Sequence, residues 1–123
     1  MAIRTIFPTQ IFHSSLKPSQ NLVNSLLSDT LKIAEIDEVG LEWSEERYFG
    51  GYTSYSSYNR LQEFSSSFAD LENLIDQAVE DYVEALGYDI EEGTLKMSNC
   101  WVNIMPTGTH HSGHIHPNSI LSG

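Results

Sequence analysis

The chain has 123 residues, of which 40% are hydrophobic and 11% aromatic. This composition excludes wholesale disorder, and the length allows one domain that buries roughly two-thirds of its unfolded surface. Seventeen acidic residues against six basic ones give a formal net charge of −11, which opposes binding to nucleic acid or anionic lipid through bulk electrostatics.

Further features of the sequence predict a soluble, cytoplasmic protein. The only cysteine, Cys100, cannot form an internal disulfide, and its strand-like surroundings indicate a buried side chain rather than a nucleophile. The first residues lack the basic start and continuous apolar core of a signal peptide. No stretch approaches the roughly 18 apolar residues that a membrane span requires.

The N-terminal region, residues 1–93, is predicted to hold a strand and two helices. Residues 3–7 read as a short strand that Pro8 closes, since proline marks a strand end or an edge. Residues 18–36 place leucine and valine at steps of three and four. A helix with one core-facing apolar stripe, capped by Ser19, is therefore expected there.

The stretch after this first helix is less regular. Acidic residues 36–48, broken by Gly40, predict a turn and an irregular connection from which Trp43 docks on the core. Residues 49–58 are small and aromatic and read as an ordinary long loop. The alternative is that their tyrosines and serines line a substrate mouth.

The second predicted helix, residues 68–86, has the clearest helical period in the chain. Its apolar side chains fall on one face, Ser67 with Asp70 resembles a capping box, and Gly87 is placed to end the helix. The acidic residues of its other face read as a solvated surface.

The C-terminal region, residues 94–123, opens with a predicted strand and continues into a histidine-rich turn. Residues 94–105 alternate between two faces that are both partly apolar near Trp101, which indicates burial inside a β structure. Residues 106–108, Pro-Thr-Gly, stop that strand and form the turn that delivers the histidines.

Four of the five histidines lie between His110 and His116. In an extended segment the side chains of His114 and His116 point to the same face, with Ile115 turned into apolar packing. Neutral imidazole binds iron, zinc, copper and nickel, so this pair is interpreted as metal ligands. A mononuclear centre needs a third protein ligand, for which His111 and then His110 are the local candidates. The alternative for these two is a solvated loop position.

The segment from Trp101 to Gly123 reads W-V-N-I-M-P-x-G-x-H-x-x-x-H-x-H-P-x-S-x-L-S-G. It closely resembles a group of iron(II)/2-oxoglutarate-dependent oxygenases, and weaker similarity reaches back through residues 50–54 to residues 7–8. The resemblance implies a double-stranded β-helix. It also implies that His114 is the first Fe(II) ligand and that His116 stands where the superfamily usually has its carboxylate.

Some members of that superfamily carry an Asn eleven residues before the first ligand, and Asn103 has this spacing to His114. The resemblance therefore implies a contact of Asn103 with 2-oxoglutarate, while Met105 departs from the aromatic residue expected two positions further on. The alternative is a strand-edge Asn that bonds local backbone. The family's distal histidine and its basic anchor have no counterpart in residues 1–123. We expect either a truncated copy of a longer protein or remaining ligands supplied from elsewhere.

The expected architecture is one α+β domain, in which two helices pack on the opening strands of an incomplete double-stranded β-helix, or jelly roll. Its exposed sheet edge invites self-association. The expected function is an iron(II)/2-oxoglutarate oxygenase whose substrate, a small molecule or a protein, stays open. The alternatives are a non-catalytic interaction module and a zinc (Zn) site formed by three histidines, His111, His114 and His116.

Overall fold

The computed structural model of the chain describes residues 2–91, 93–111 and 113–123. The elements follow in the order α1 (Gln20–Ile36), α2 (Glu38–Arg47), β1 (Tyr52–Thr53), a single 3-10 turn (Leu61–Glu63), α3 (Ser66–Leu86) and β2 (Asn103–Ile104). The fold is α+β, as expected, and the two strands form an antiparallel sheet. No helix of the described part is long and apolar enough to cross a membrane.

Helix α1 begins and ends where the sequence predicts. The Ser19 hydroxyl accepts a hydrogen bond from the Leu22 N–H at 3.2 Å, which satisfies one free donor of the first turn. The apolar stripe, however, is divided between two environments. Leu22 and Leu26 are half-buried, whereas Leu27 stays 59% exposed together with its neighbours Val23 and Leu31. Only two of these five residues therefore face the core.

Helix α2 corrects the prediction of an irregular connection over residues 36–48. Asp37 caps it by accepting from the Gly40 N–H at 2.9 Å, and the Ser44 hydroxyl donates to the Gly40 carbonyl at 2.6 Å. Its buried residues are Gly40 and Ser44, so the helix packs through two small residues instead of an apolar stripe. Hydrophobic periodicity cannot detect such a helix.

A buried polar cluster joins α2 to β1. Asp37 is 2% exposed and also accepts hydrogen bonds from the hydroxyls of Tyr52, at 2.7 Å, and Ser57. The Ser44 hydroxyl accepts from the Thr53 N–H at 3.1 Å. These bonds satisfy polar groups that would otherwise be costly to bury, and they fix the start of the sheet against the helix.

Helix α3 is the long amphipathic helix that the sequence predicts, and Gly87 ends it in the left-handed conformation at φ 65°. Its N-cap is Ser65 rather than Ser67, so the capping-box position was wrong by two residues. The hydroxyls of Ser65 and Ser67 both donate to the Asp29 carboxylate of α1, each at 2.7 Å. This shared acceptor ties the two helices together.

The predicted strand over residues 94–105 is regular only at Asn103–Ile104, which pairs with Tyr52–Thr53. Closer to α3, the Leu61 N–H donates to the Cys100 carbonyl at 3.0 Å in an isolated bridge. Between these contacts the opposing chain turns at residues 54–58, so the long run has no continuous partner along its length.

The predicted N-terminal strand at residues 3–7 is wrong. All of residues 2–19 are described, and they form neither helix nor strand. Phe7 and Lys17 have positive φ angles, which interrupt an extended course. The segment is anchored instead at Phe12, whose ring stacks on Tyr82 at 5.0 Å between ring centres.

Candidate functional site

A tight turn after β2 carries the histidines, as the sequence predicts. The N–H and the hydroxyl of Thr109 donate to the Pro106 carbonyl at 3.1 and 2.8 Å. Gly108 adopts φ 93°, a conformation that favours glycine. The chain therefore reverses at this point and returns along the face of the molecule that carries β2.

Three of the four clustered histidines lie in a row. The ring centres of His114 and His116 are 5.0 Å apart, and those of His111 and His114 are 5.8 Å apart. Two imidazoles bound to one metal through bonds of about 2.0–2.1 Å have ring centres about 4.5–5.5 Å apart. The pair predicted to ligate therefore has a suitable spacing, and His111 lies slightly beyond it.

One residue of this loop, Ile115, lies in a different environment from the one that the sequence predicts. Ile115 was expected to turn into apolar packing, but its side chain is 83% exposed, because the segment is not a strand and has no second layer behind it. His116 instead gains an apolar neighbour from the preceding run, since its ring stacks on Trp101 at 5.9 Å with an interplanar angle of 21°.

Tyr48, at the C-terminal end of α2, contacts this histidine row directly. Its hydroxyl and Nε2 of His111 share a hydrogen bond of 2.9 Å, and the two ring centres are 5.1 Å apart. Burial raises the pKa of Tyr48 above its ordinary value, so the phenol stays protonated at neutral pH. Sequence reasoning missed this residue because 63 positions separate it from His111.

The glycine pair after Tyr48 makes that contact feasible. A Cβ atom on Gly51 would lie 2.6 Å from the Tyr48 ring and 2.9 Å from the Ile104 carbonyl oxygen. Gly50 adopts φ 76°, and a Cβ there would lie 3.1 Å from the methyl group of Thr109. These two glycines therefore permit close approach between the end of α2 and the turn that carries the histidines. The Tyr-Phe-Gly-Gly sequence of residues 48–51 was the available sequence signal.

An aromatic wall, defined as Trp43, Tyr55 and Trp101, continues the row beyond His116. Tyr55 meets Trp101 edge to face at 5.2 Å and lies 6.3 Å from Trp43. The Arg47 guanidinium covers the Trp43 ring at 5.7 Å. The histidine row and this wall line one open cavity of about 1540 Å³. Small-molecule sites commonly enclose about 300–1,000 Å³, so this cavity has room for more than one ligand.

Asn103 lies on β2 and lines the same cavity as His114 and His116. Its backbone pairs with Thr53 of β1, and the two interpretations of its side chain, a contact with 2-oxoglutarate and a bond to local backbone, stay predictions. Arg47 and Lys96 bring positive charge to the cavity lining from outside the C-terminal motif. Sequence reasoning assigned no basic residue to the site, because α2 was not expected to reach it.

Cys100 stands apart from this chemistry. The residue is partly buried, and burial, followed by the negative charge of Glu72, raises the pKa of its thiol. A protonated thiol is a poor nucleophile and a poor metal ligand. The interpretation of Cys100 as a packing residue is therefore consistent with its surroundings.

The histidines are spaced as a close pair with a neighbour rather than as a closed three-ligand set. Across residues 2–91, 93–111 and 113–123, no group of three or more His, Cys, Asp or Glu side chains is arranged to hold a metal ion. No known family model and no curated protein matches the chain. Function is consequently inferred from the histidine row, its contact with Tyr48 and the cavity that they line.

Proposed function

We propose that the chain carries the metal-binding motif of an iron(II)/2-oxoglutarate-dependent oxygenase of the hydroxylase type. The observation that carries the proposal is the pairing of the His114 and His116 rings, 5.0 Å apart, on the wall of a cavity of about 1540 Å³. A volume of this size accommodates a co-substrate and part of a substrate beside the metal.

The histidines of the row supply the type of donor atom that such a metal binds. His114 is the proposed first ligand, His116 the second and His111 the third, and imidazole nitrogen is a suitable donor for iron(II). When bound, the iron would supply oxygen activation coupled to decarboxylation of 2-oxoglutarate and to hydroxylation of a C–H bond. An all-imidazole set adds no negative charge, so the site keeps the full charge of the cation.

In this proposal the chain's own residues bind the co-substrate, orient a metal ligand and shield the cavity from water. Trp101 fixes the His116 ring by stacking, and the aromatic wall excludes water from one side of the cavity. The amide N–H of Asn103 donates to a carboxylate of 2-oxoglutarate. The net charge of −11 attracts a divalent cation to the site.

The same proposal extends to the fold, the compartment and the partner. The β1–β2 pair represents the opening of a double-stranded β-helix, or jelly roll, in a cytoplasmic protein. Within the described residues each of these two strands has a hydrogen-bonded neighbour on one side only. The other edge is a surface through which a second copy can add.

A zinc-binding structural module is the second candidate. The row of three imidazoles favours it, because three histidines form a recognised protein ligand set for zinc. In this case the aromatic wall serves packing or a non-catalytic interaction, and 2-oxoglutarate has no influence on metal binding.

Anaerobic titration of the purified chain with iron(II), with and without 2-oxoglutarate, tests the proposal. We expect a weak visible charge-transfer band only when both are present, and we expect its loss in His114→Ala. His13→Ala is the matched control, because His13 lies far from the cluster in sequence and does not line the cavity. Tight zinc binding that ignores 2-oxoglutarate, with no such band, would favour the structural module instead.

A further inference from the structure

Tyr48 joins the helical part of the molecule to the histidine row through a polar contact. The contact is the 2.9 Å hydrogen bond between the phenol and Nε2 of His111. We infer that Tyr48 is a positioning residue of the metal site: its phenol oxygen accepts the Nε2 hydrogen of His111 and thereby leaves Nδ1 of His111 to bind the metal. This inference rests on the proposed function in requiring a metal at the histidine row.

The tautomer of His111 depends on which of its two ring nitrogens carries the hydrogen. A neutral imidazole has one protonated nitrogen and one nitrogen with a lone pair. A phenol that accepts from Nε2–H leaves the lone pair on Nδ1. Metal-binding histidines almost always donate their second nitrogen's hydrogen to a fixed acceptor, which sets both the tautomer and the ring orientation. Tyr48 is placed to be that acceptor.

Tyr48 is itself held by the rigid part of the fold. Its N–H donates to the Ser44 carbonyl at 2.8 Å, and Ser44 is 2% exposed and bonded to Thr53 of β1. The Tyr48 ring lies close over Gly51. His111, by contrast, is exposed, and the described residues on either side of it form neither helix nor strand. The hydrogen bond to Tyr48 therefore restrains the His111 ring relative to α2 and β1. The segment that carries His111 does not provide this restraint itself.

The three imidazoles of this arrangement limit which metal ions the site would bind. A site built from Nδ1 of His111 with the imidazoles of His114 and His116 presents three neutral nitrogen donors. Such a set selects transition-metal and zinc cations, namely iron(II), cobalt(II), nickel(II), copper(II) and zinc, over magnesium and calcium, which prefer oxygen. Cobalt(II) is accordingly the probe of choice, because its visible spectrum reports the ligand set.

The test compares cobalt(II) binding by the wild-type chain and by Tyr48→Phe. The substitution keeps the ring over Gly51 and removes only the hydroxyl. We expect affinity to fall about 10- to 100-fold and the cobalt(II) absorption band to shift. Tyr88→Phe is the matched control, because Tyr88 is half-exposed and does not line the cavity. Its affinity and spectrum should equal those of the wild type.

A second variant keeps the inference testable if Tyr48→Phe folds poorly. His111→Ala should lose at least as much affinity, and adding Tyr48→Phe to it should change nothing further, since Tyr48 acts through His111. Additive losses would overturn the inference. Nitrogen-15 NMR of the metal-free chain gives an independent readout: Nε2 of His111 should be protonated in the wild type. A protonated Nδ1 would also overturn it.

The outcomes separate this inference from the proposed function. A charge-transfer band with 2-oxoglutarate that is equal in wild type and Tyr48→Phe would support the oxygenase and overturn the role of Tyr48. Cobalt(II) binding that depends on Tyr48, without any such band, would support the role of Tyr48 and overturn the oxygenase. A wild-type chain that binds no cobalt(II) would overturn the role of Tyr48 directly.

Discussion

The hydroxyl of Tyr52 donates to the carboxylate of Asp37 across 2.7 Å, and both residues are more than nine-tenths buried. Asp37 caps α2, and Tyr52 opens β1, which pairs with the strand that leads to the histidines. This one contact therefore connects the helical layer to the sheet that positions the site. Its strength depends on the completeness of the hydrogen bonding around the buried carboxylate.

Replacing Asp37 by alanine should destabilise the chain by about 3 kcal/mol or more, because three donors lose their acceptor and a helix cap is removed. The donors are the Gly40 N–H and the hydroxyls of Tyr52 and Ser57. Urea unfolding followed by far-ultraviolet circular dichroism measures the effect. Glu38→Ala is the control on the same turn, since Glu38 is exposed, and a loss of equal size there would contradict the role of the cluster.

The stability of the chain should fall in alkaline solution because of Tyr52. Burial, then the hydrogen bond and negative charge of Asp37, raise the pKa of Tyr52 above its ordinary value of 10.0. The folded state therefore favours the protonated phenol. This contribution to the free energy of unfolding is complete below about pH 10 and is lost progressively as the pH rises toward the folded-state pKa.

Urea midpoints measured between about pH 9 and 11.5 check this expectation. In Tyr52→Phe the midpoint should be lower at neutral pH and should decline less steeply above pH 10, because the titrating group is gone. Tyr88→Phe, which removes a half-exposed tyrosine, should keep the wild-type slope. Parallel slopes in the wild type and Tyr52→Phe would assign the alkaline loss to other groups.

Sequence periodicity predicts α1 and α3 because each carries apolar residues at helical spacing, and the two helices contact each other. It cannot predict α2, whose buried face is Gly40 and Ser44, since that helix is held by capping and hydrogen bonds. The two strands are equally difficult to predict from local sequence. They are two-residue segments fifty positions apart, and no local pattern specifies that they pair.

The candidate site likewise has features that local sequence predicts and features that it does not. The closeness of His114 and His116 agrees with the prediction made from their two-residue separation, although the segment that carries them is not a strand. The contact of Tyr48 with His111 and the approach of Trp101 to Tyr55 are tertiary relationships, and no local pattern encodes them. Local patterns thus identified the candidate ligands and Asn103, and offered the tyrosines of residues 49–58 only as an alternative, but they did not identify Tyr48.

The two leucines in the middle of α1 should respond differently to truncation. Leu26 is half-buried, so Leu26→Ala should cost about 2 kcal/mol, at the low end for a buried leucine. Leu27 is 59% exposed, so Leu27→Ala should stay within about 0.5 kcal/mol. Urea unfolding of the two variants at low concentration gives the comparison. A large loss for Leu27→Ala would show that its side is covered in solution.

Adding a methyl group at Gly51 should disturb the histidine row from a distance. A Cβ there would lie 2.9 Å from the Ile104 carbonyl oxygen, which is backbone and cannot rotate away, and 2.6 Å from the Tyr48 ring. Gly51→Ala should therefore cost about 1–3 kcal/mol as overpacking and displace Tyr48 from His111. Cobalt(II) affinity should fall at least as far as in Tyr48→Phe, because the variant moves the ring as well as its hydroxyl.

Gly113→Ala is the matched control for this prediction, since Gly113 lies among the histidines and a Cβ there meets nothing within 4 Å. It should change neither the free energy of unfolding nor the cobalt(II) spectrum by a measurable amount. The ordering of the two variants is decisive. A substitution inside the histidine segment should be harmless, while one more than fifty residues earlier in the chain should weaken the site, because the rigid support of His111 lies there. The reverse order would place the determinants of metal binding within the segment itself.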